Sequence, residues 1–197
     1  MTDYLWAKRS ENYNRMDFYG VHDEDDELML VEGAPVLGTT SGALRAEAQA
    51  YSRKKLEDFA RSQAHVMLVS PKAREVIEAF APGLPGVEWL PVELVSSSGK
   101  AVTKKSYHVL HLIDHVDALD PAASGASYSF ICPGDIDDVE QLVIDPAKIP
   151  QDRPIFRLAH YTYPIFFSRA LAEKIQEAGL SGVGFGEIGA FDSFALF

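Results

Sequence analysis

Residues 65–89 read HVMLVSPKAREVIEAFAPGLPGVEW, and residues 163–185 read YPIFFSRALAEKIQEAGLSGVGF. In both segments a short apolar run ends at a serine, and a stretch with charged and apolar faces follows. Each segment then continues with a glycine, a leucine, a turn residue, a second glycine and a valine, and it ends at an aromatic residue. This pattern predicts a strand, a helix and a second strand, and it occurs twice in the chain.

The serines of this pattern predict where each helix begins. A serine before a helix accepts hydrogen bonds from the unpaired N–H groups of the first turn, which is the role we predict for Ser70 and Ser168. Pro71 suits the first helical position, because a missing N–H is no loss there. Gly179 suits the left-handed exit of the second helix, with Gly83 as its counterpart. A nucleophilic serine at a strand-to-helix turn needs flanking glycines, which both serines lack.

Outside the repeated units, strands outnumber helices. Residues 41–63 carry apolar side chains at roughly helical spacing and predict a helix. We expect an α+β fold with a largely antiparallel sheet and the helices packed on it, because adjacent strands are joined by short turns. Residues 1–197 are predicted to form a single domain, as one unit or as two similar halves that share a core. The predicted strands are 28–31, 87–95, 101–113, 139–144, 155–158 and 165–167.

The composition is that of an ordinary globular protein except for its charge. Of 197 residues, 47% are apolar and 24% are charged, and the net charge is −11. This charge argues against binding to nucleic acids and to anionic membranes. The acidic runs are interpreted either as solvated loops or as a surface that attracts a basic protein partner. The candidate partner-binding residues are Asp23, Glu24, Asp25, Asp26, Glu27, Asp135, Asp137 and Asp138.

The sequence predicts a cytoplasmic protein. Its first residues have no basic segment followed by an apolar one, and no apolar run has the length of a membrane span. Cys132 is the only cysteine, so the chain cannot form an internal disulfide, in agreement with a reducing compartment. A lone cysteine in an apolar stretch is more often buried and inert than reactive, and we expect this of Cys132.

Three histidines in one segment raise the question of a metal site. On a helix, His108, His111 and His115 would share a face, whereas on a strand His108 points away from the other two. The apolar residues between them favour a strand, so no metal site is predicted. The glycines of 182–186 follow a helix instead of opening one, which excludes a dinucleotide loop. We predict no catalytic, cofactor-binding or metal-binding residues.

Several short motifs and Ser124 combine to give a resemblance to a known family. The motifs are LVS at 68–70, GVEWLPV at 86–92, YHVL at 107–110, VDALD at 116–120, IFRL at 155–158, IFFS at 165–168 and GLSGVGF at 179–185. Together they resemble the eleventh family of bacterial polymorphic-toxin immunity proteins, formerly catalogued as a domain of unknown function. The resemblance covers residues 33–185. His111 departs from it, because the family pattern has asparagine there.

The resemblance implies an antidote that binds one cognate toxin and blocks it without catalysis. A basic toxin, such as a nuclease, would fit the acidic loops. Two other functions stay open from the residues alone. One is a hydrolase that uses Cys132, a histidine or a carboxylate pair. The other is a structural domain that forms homo-oligomers through Phe191, Phe194 and Phe197, although docking of this terminal segment on the core explains these aromatics equally well.

Overall fold

The computed structural model describes residues 3–9, 18–22, 30, 32–36, 44–48, 56–62 and 65–193. The predicted α+β class with mostly antiparallel sheets is confirmed. The helices are α1 (Pro71–Phe80) and α2 (Arg169–Glu177). The strands are β1 (Tyr4–Arg9), β2 (Phe18–His22), β3 (Leu44–Ala48), β4 (Phe59–Arg61), β5 (Met67–Val69), β6 (Val87–Val95), β7 (Tyr107–Leu112), β8 (Ser127–Tyr128), β9 (Ile136–Asp138), β10 (Ile155–Arg157), β11 (Ile165–Ser168) and β12 (Val183–Glu187).

The sequence repeat is also a repeat of topology. One sheet has the order β2-β3-β6-β7-β5-β4, and a second has the order β10-β11-β1-β12. In the first unit, β5 and β6 flank β7 and both run antiparallel to it. In the second unit, β11 and β12 flank β1 in the same way. Each helix therefore connects two strands of like direction that are separated by one strand from elsewhere in the chain.

Both units contribute to one apolar core. The buried face of α1 includes Ala73 and Ile77, and that of α2 includes Leu171 and Ile175, and all four belong to the same cluster. The two helices contact each other directly. Trp89 and Phe185, the aromatic residues that end the two units, both pack against this cluster. Packing of each helix through one face explains why charged residues alternate with apolar ones along it.

The serines cap the helices as predicted. The Ser70 hydroxyl oxygen accepts from the backbone N–H of Ala73 at 3.2 Å, and that of Ser168 accepts from Leu171 at 3.3 Å. Pro71 occupies the start of α1. Such caps satisfy N–H groups that the helix itself leaves unpaired. Both hydroxyls thus have an architectural role.

Asp58 joins the first unit to the second. Its carboxylate accepts from the Ser70 hydroxyl at 2.7 Å, and from the hydroxyl of Ser181, just after α2, at 3.2 Å. Burial acts to raise the pKa of Asp58, but the hydrogen bonds from Ser70 and Ser181 outweigh it and lower the pKa. Lys72 at the start of α1 adds a second link, donating to the carbonyl of Ala178 at 2.9 Å.

Equivalent positions of the two units also meet at their starts. His65 opens the first unit and Tyr163 the second, and their ring centroids lie 4.8 Å apart. The buried guanidinium of Arg157 donates to the carbonyl oxygens of His65 and Thr162. The first residues of the two repeated units are therefore in direct contact.

Three sequence predictions of secondary structure are wrong. The structure has β3 and β4 within 41–63, where a helix was predicted. Leu44, Ala46 and Ala48 are buried in alternation, so the period is two and the sheet decides the conformation. Residues 139–144 form no continuous strand, and Ile144 makes an isolated bridge. Of the strand predicted at 28–31, only Leu30 lies within the described residues, and it is helical.

Candidate functional site

The most exposed apolar side chains of the described chain lie in the short hairpin formed by β8, β9 and the loop between them, which we call the 127–138 hairpin. Phe130 is 99% exposed, Ile131 is 87% exposed and Tyr128 is 60% exposed. Scattered exposed apolar residues are normal, but three within four positions form a patch. A patch of exposed apolar side chains is typical of a protein-binding surface.

The loop of the hairpin is held in shape by its own hydrogen bonds. The Ser129 hydroxyl oxygen accepts from the backbone N–H groups of Ile131 and Cys132, both at 3.3 Å. Asp135 donates its N–H to the Cys132 carbonyl at 3.0 Å, which closes a turn with Pro133 and Gly134 in the middle. Gly134 has a φ of +105°, which favours glycine. The backbone that presents the apolar pair is thus constrained.

The base of the hairpin is fixed to the rest of the fold. Ile136 and Val139 are buried in a cluster that also contains Trp6. The backbone N–H of Ile136 donates to the carbonyl of His160 at 2.7 Å. The imidazole of His160 lies 3.8 Å from the Asp135 carboxylate. The hairpin therefore has a buried root and an exposed tip.

The structure brings one group of the predicted acidic residues to this hairpin. Asp135, Asp137 and Asp138 are all exposed and lie on its second half. Asp138 also contributes to a raised pKa of Tyr161, after burial, which is the main cause. The other predicted group, from Asp23 to Glu27, lies outside the described residues.

The histidines separate as strand alternation predicts. On β7, His108 faces α1, where its Nε2 lies 2.8 Å from the Arg74 guanidinium. His111 is buried on the opposite face, with Nε2 at 2.8 Å from the carbonyl oxygen of Ala34. His115 follows the end of β7 and contacts the Leu112 carbonyl at 3.2 Å. The strand thus places His108 and His111 in different surroundings.

Burial lowers the pKa of all three imidazoles. It lowers the pKa of His115 to about 4, with the positive charge of Arg157 as the second cause. Burial also lowers the pKa of His111, against the opposing effect of its bond to Ala34. For His108, burial and Arg74 both lower the pKa. Within the described ranges, no group of three or more His, Cys, Asp or Glu side chains is arranged to hold a metal ion.

Two expectations for single residues have different outcomes. Cys132 is exposed, so the expectation that it is buried is wrong, because it precedes a turn at the hairpin tip. Phe191 packs edge-on against Trp6 at a centroid distance of 5.1 Å, as docking on the core requires. Phe194 and Phe197 lie outside the described residues.

Sequence reasoning missed the functional interest of Phe130 and Ile131. They are part of the apolar stretch that contains the lone cysteine, and the sequence predicts no role for them. The signal that distinguishes them is their surroundings, since Ser129 precedes them and Pro133 and Gly134 follow closely. Two apolar residues between turn formers cannot continue a strand into a core.

The comparison with known families agrees with the architecture. The sequence model of the Immunity protein family (Imm11) matches residues 39–190, more than three quarters of the chain. The chain belongs to this immunity protein family. The match includes both repeated units and the 127–138 hairpin, whereas β1 and β2 precede the matched region. No curated protein matches the chain. Among the described helices of this immunity-family chain, none is long and apolar enough to cross a membrane.

Proposed function

We propose that the chain is an immunity protein that binds one cognate protein toxin in the bacterial cytoplasm and blocks it without catalysis. Membership of the immunity family over residues 39–190 is the observation that carries this proposal. A bound protein inhibits an enzyme by covering its active site or by holding an inactive state, and neither requires chemistry by the inhibitor.

The roles of the two serines that precede the helices support a binding function. The hydroxyl oxygens of Ser70 and Ser168 cap helices, and Ser70 also donates to Asp58. A nucleophilic serine needs a neighbouring base that accepts its proton and a site for the substrate. Asp58 instead accepts from two serines at the junction of the repeated units, where its contacts are structural.

The charge of the chain supports a basic partner. A net charge of −11 favours association with positively charged proteins and raises the rate of their encounter. Toxins that act on nucleic acids have such surfaces, because they bind phosphates. We therefore propose a toxin with a basic surface as the partner.

Co-expression with the product of the adjacent open reading frame tests the proposal. We expect the chain to restore growth and to co-purify with the toxin. The control is Phe167→Ala, which removes a core side chain and should reduce rescue through its loss of stability. Growth arrest despite folded wild-type chain, together with no complex, would contradict the proposal.

A titration separates binding from catalysis. Purified chain is added in increasing amounts to a fixed amount of toxin, and toxin activity is followed over time. A stoichiometric inhibitor reaches complete inhibition near one equivalent, and high salt then releases active toxin. Inhibition by small fractions of an equivalent that grows with time, or toxin that stays inactive after release, would instead favour a hydrolase.

A further inference from the structure

We propose that the 127–138 hairpin is the element that anchors the toxin, with Phe130 and Ile131 inserted into an apolar pocket surrounded by basic side chains. This inference rests on the proposed function and names its interface. The observations that carry it are the exposure of the apolar pair, the constrained backbone beneath it and the acidic side chains of the same segment.

The exposure of the apolar pair is the first step. Five large apolar side chains are exposed in the described part of the chain, and the hairpin contains three of them. The other two, Phe80 and Tyr163, are only 37% and 36% exposed, whereas Phe130 is 99% exposed. Binding energy at protein interfaces is concentrated in a few side chains that fill pockets, and aromatic residues are enriched among them. Phe130 has the chemistry and the position of such an anchor.

The constrained backbone is the second step. Ser129 accepts from two backbone N–H groups of the loop, and the turn at Pro133 and Gly134 is closed by a hydrogen bond. The buried Ile136 fixes the base. A loop that already has its bound shape loses little conformational entropy on binding. The hairpin is therefore suited to insertion as a rigid element.

The charge of the hairpin defines the partner. Residues 127–140 contain four acidic side chains and no Lys, Arg or His. All four are exposed: Asp135 ends the loop, Asp137 and Asp138 lie on β9, and Glu140 follows the buried Val139. A partner that accepts the tip brings its rim close to these carboxylates, so a basic rim is complementary. This arrangement favours a pocket within a positively charged surface, such as a cleft that binds phosphates.

The same charge disfavours the other occupants of an exposed apolar tip. Two copies of the chain joined through their hairpins would bring two acidic clusters together, on chains that each have a net charge of −11. Anionic lipid surfaces would be repelled for the same reason. A basic protein is the occupant that gains from both the apolar and the acidic features.

The test measures affinity for the co-purified toxin, inactivated by mutation of its own active site. We expect the Phe130→Ala, Ile131→Ala double variant to bind at least about 100-fold more weakly, mainly through faster dissociation. Phe80→Ala is the matched control, since it removes an exposed phenylalanine from α1, and its affinity should stay within about threefold of wild type. Thermal unfolding of each variant establishes that the fold is intact.

A charge variant tests the rim. Asp135→Asn, Asp137→Asn and Asp138→Asn combined should slow association about tenfold at low salt, with little difference at high salt, because salt screens exposed charges. The control neutralises three exposed acidic residues elsewhere, with Glu75→Gln, Asp152→Asn and Glu173→Gln. An equal effect of both triple variants would mean that only overall charge matters, and would overturn the assignment of the rim.

The outcomes distinguish the interface from the function. If wild-type chain binds and neutralises the toxin while the double variant binds equally well, the hairpin proposal is wrong and the proposed function stands. If wild-type chain binds no toxin and gives no rescue, both are wrong. Sedimentation of the isolated chain tests whether a second copy of the chain binds the hairpin instead. If the wild-type chain is a dimer, and the double variant is a monomer that still binds the toxin, the hairpin serves self-association.

Discussion

Phe167 and Phe130 have the same side chain and opposite environments. Phe167 on β11 is 0% exposed and belongs to the core shared by the two repeated units, whereas Phe130 on the 127–138 hairpin is 99% exposed. The difference comes from their neighbours. Phe167 continues an apolar strand and precedes a capped helix, so the residues on both sides of it belong to elements that pack on the core. Phe130 lies between turn residues that direct the backbone outward. The scaffold thus gains stability from its apolar residues, while the hairpin leaves them exposed.

The sharpest test of this contrast replaces each phenylalanine with alanine. Phe167→Ala should lower the free energy of unfolding by about 3–5 kcal/mol, because it creates a cavity and loses buried apolar surface. Phe130→Ala should change it by less than about 0.5 kcal/mol. Urea unfolding followed by tryptophan fluorescence measures both. Similar losses for the two variants would show that the hairpin tip is packed in solution.

Two glycines with left-handed backbone offer a second contrast. In Gly182 a Cβ would lie 1.9 Å from the carbonyl oxygen of Phe59, and φ is +97°. Gly182→Ala should therefore cost more than about 2 kcal/mol, since rigid backbone must shift. At Gly134 no atom lies within 4 Å of a Cβ, so Gly134→Ala should cost about 1 kcal/mol from backbone strain alone. Denaturation midpoints measure the two losses of stability. A larger loss for Gly134→Ala than for Gly182→Ala would contradict the close contact between Gly182 and the Phe59 carbonyl.

Asp58, which links the two repeated units, and Asp137, which is exposed on the hairpin, offer a third contrast. Asp58→Ala removes the carboxylate that accepts from Ser70 and Ser181. It should lower the free energy of unfolding by about 1–2 kcal/mol at pH 7, a modest loss because water partly reaches this carboxylate. Asp137→Ala should leave the free energy of unfolding nearly unchanged.

The effect of Asp58 should also depend on pH. Burial acts to raise its pKa, but the hydrogen bonds lower the pKa by more, so the folded value lies below the ordinary 3.8. Its contribution is then fully present above the unfolded pKa and is lost as the pH falls through the folded one. Unfolding curves of wild type and Asp58→Ala between pH 7 and pH 2 should converge at the acid end. A gap of constant size would mean that the carboxylate charge is not involved.

The smallest expected effects concern the serine hydroxyls. Ser168→Ala should cost about 1 kcal/mol through loss of a helix cap, and Ser70→Ala somewhat more, because Asp58 then loses a partner as well. Ser129→Ala should hardly change global stability but should speed amide exchange at Ile131 and Cys132, whose N–H groups it releases. Equal exchange in both proteins would show that the loop is shaped by Pro133 and Gly134 alone.

The repeated units were predictable because their signals are local. A cap requires a serine at one position, and a left-handed exit favours a glycine, so Ser70, Ser168 and Gly179 indicate where each helix begins or ends. The segment 41–63 was predicted wrongly because its apolar spacing fits two periods. Only pairing of β3 with its neighbours selects the strand, and that pairing joins residues far apart in sequence.

The sequence by itself determined two strand–helix–strand units, an acidic chain and a resemblance to an immunity family, since composition, caps and short motifs are read along the chain. Tertiary structure decided how the units join, because Asp58, Arg157 and the pair of His65 and Tyr163 act between distant segments. It also decided that Phe130 and Ile131 are exposed. Whether an apolar side chain is buried depends on what the rest of the chain places against it, and for these two residues nothing in the described structure covers them.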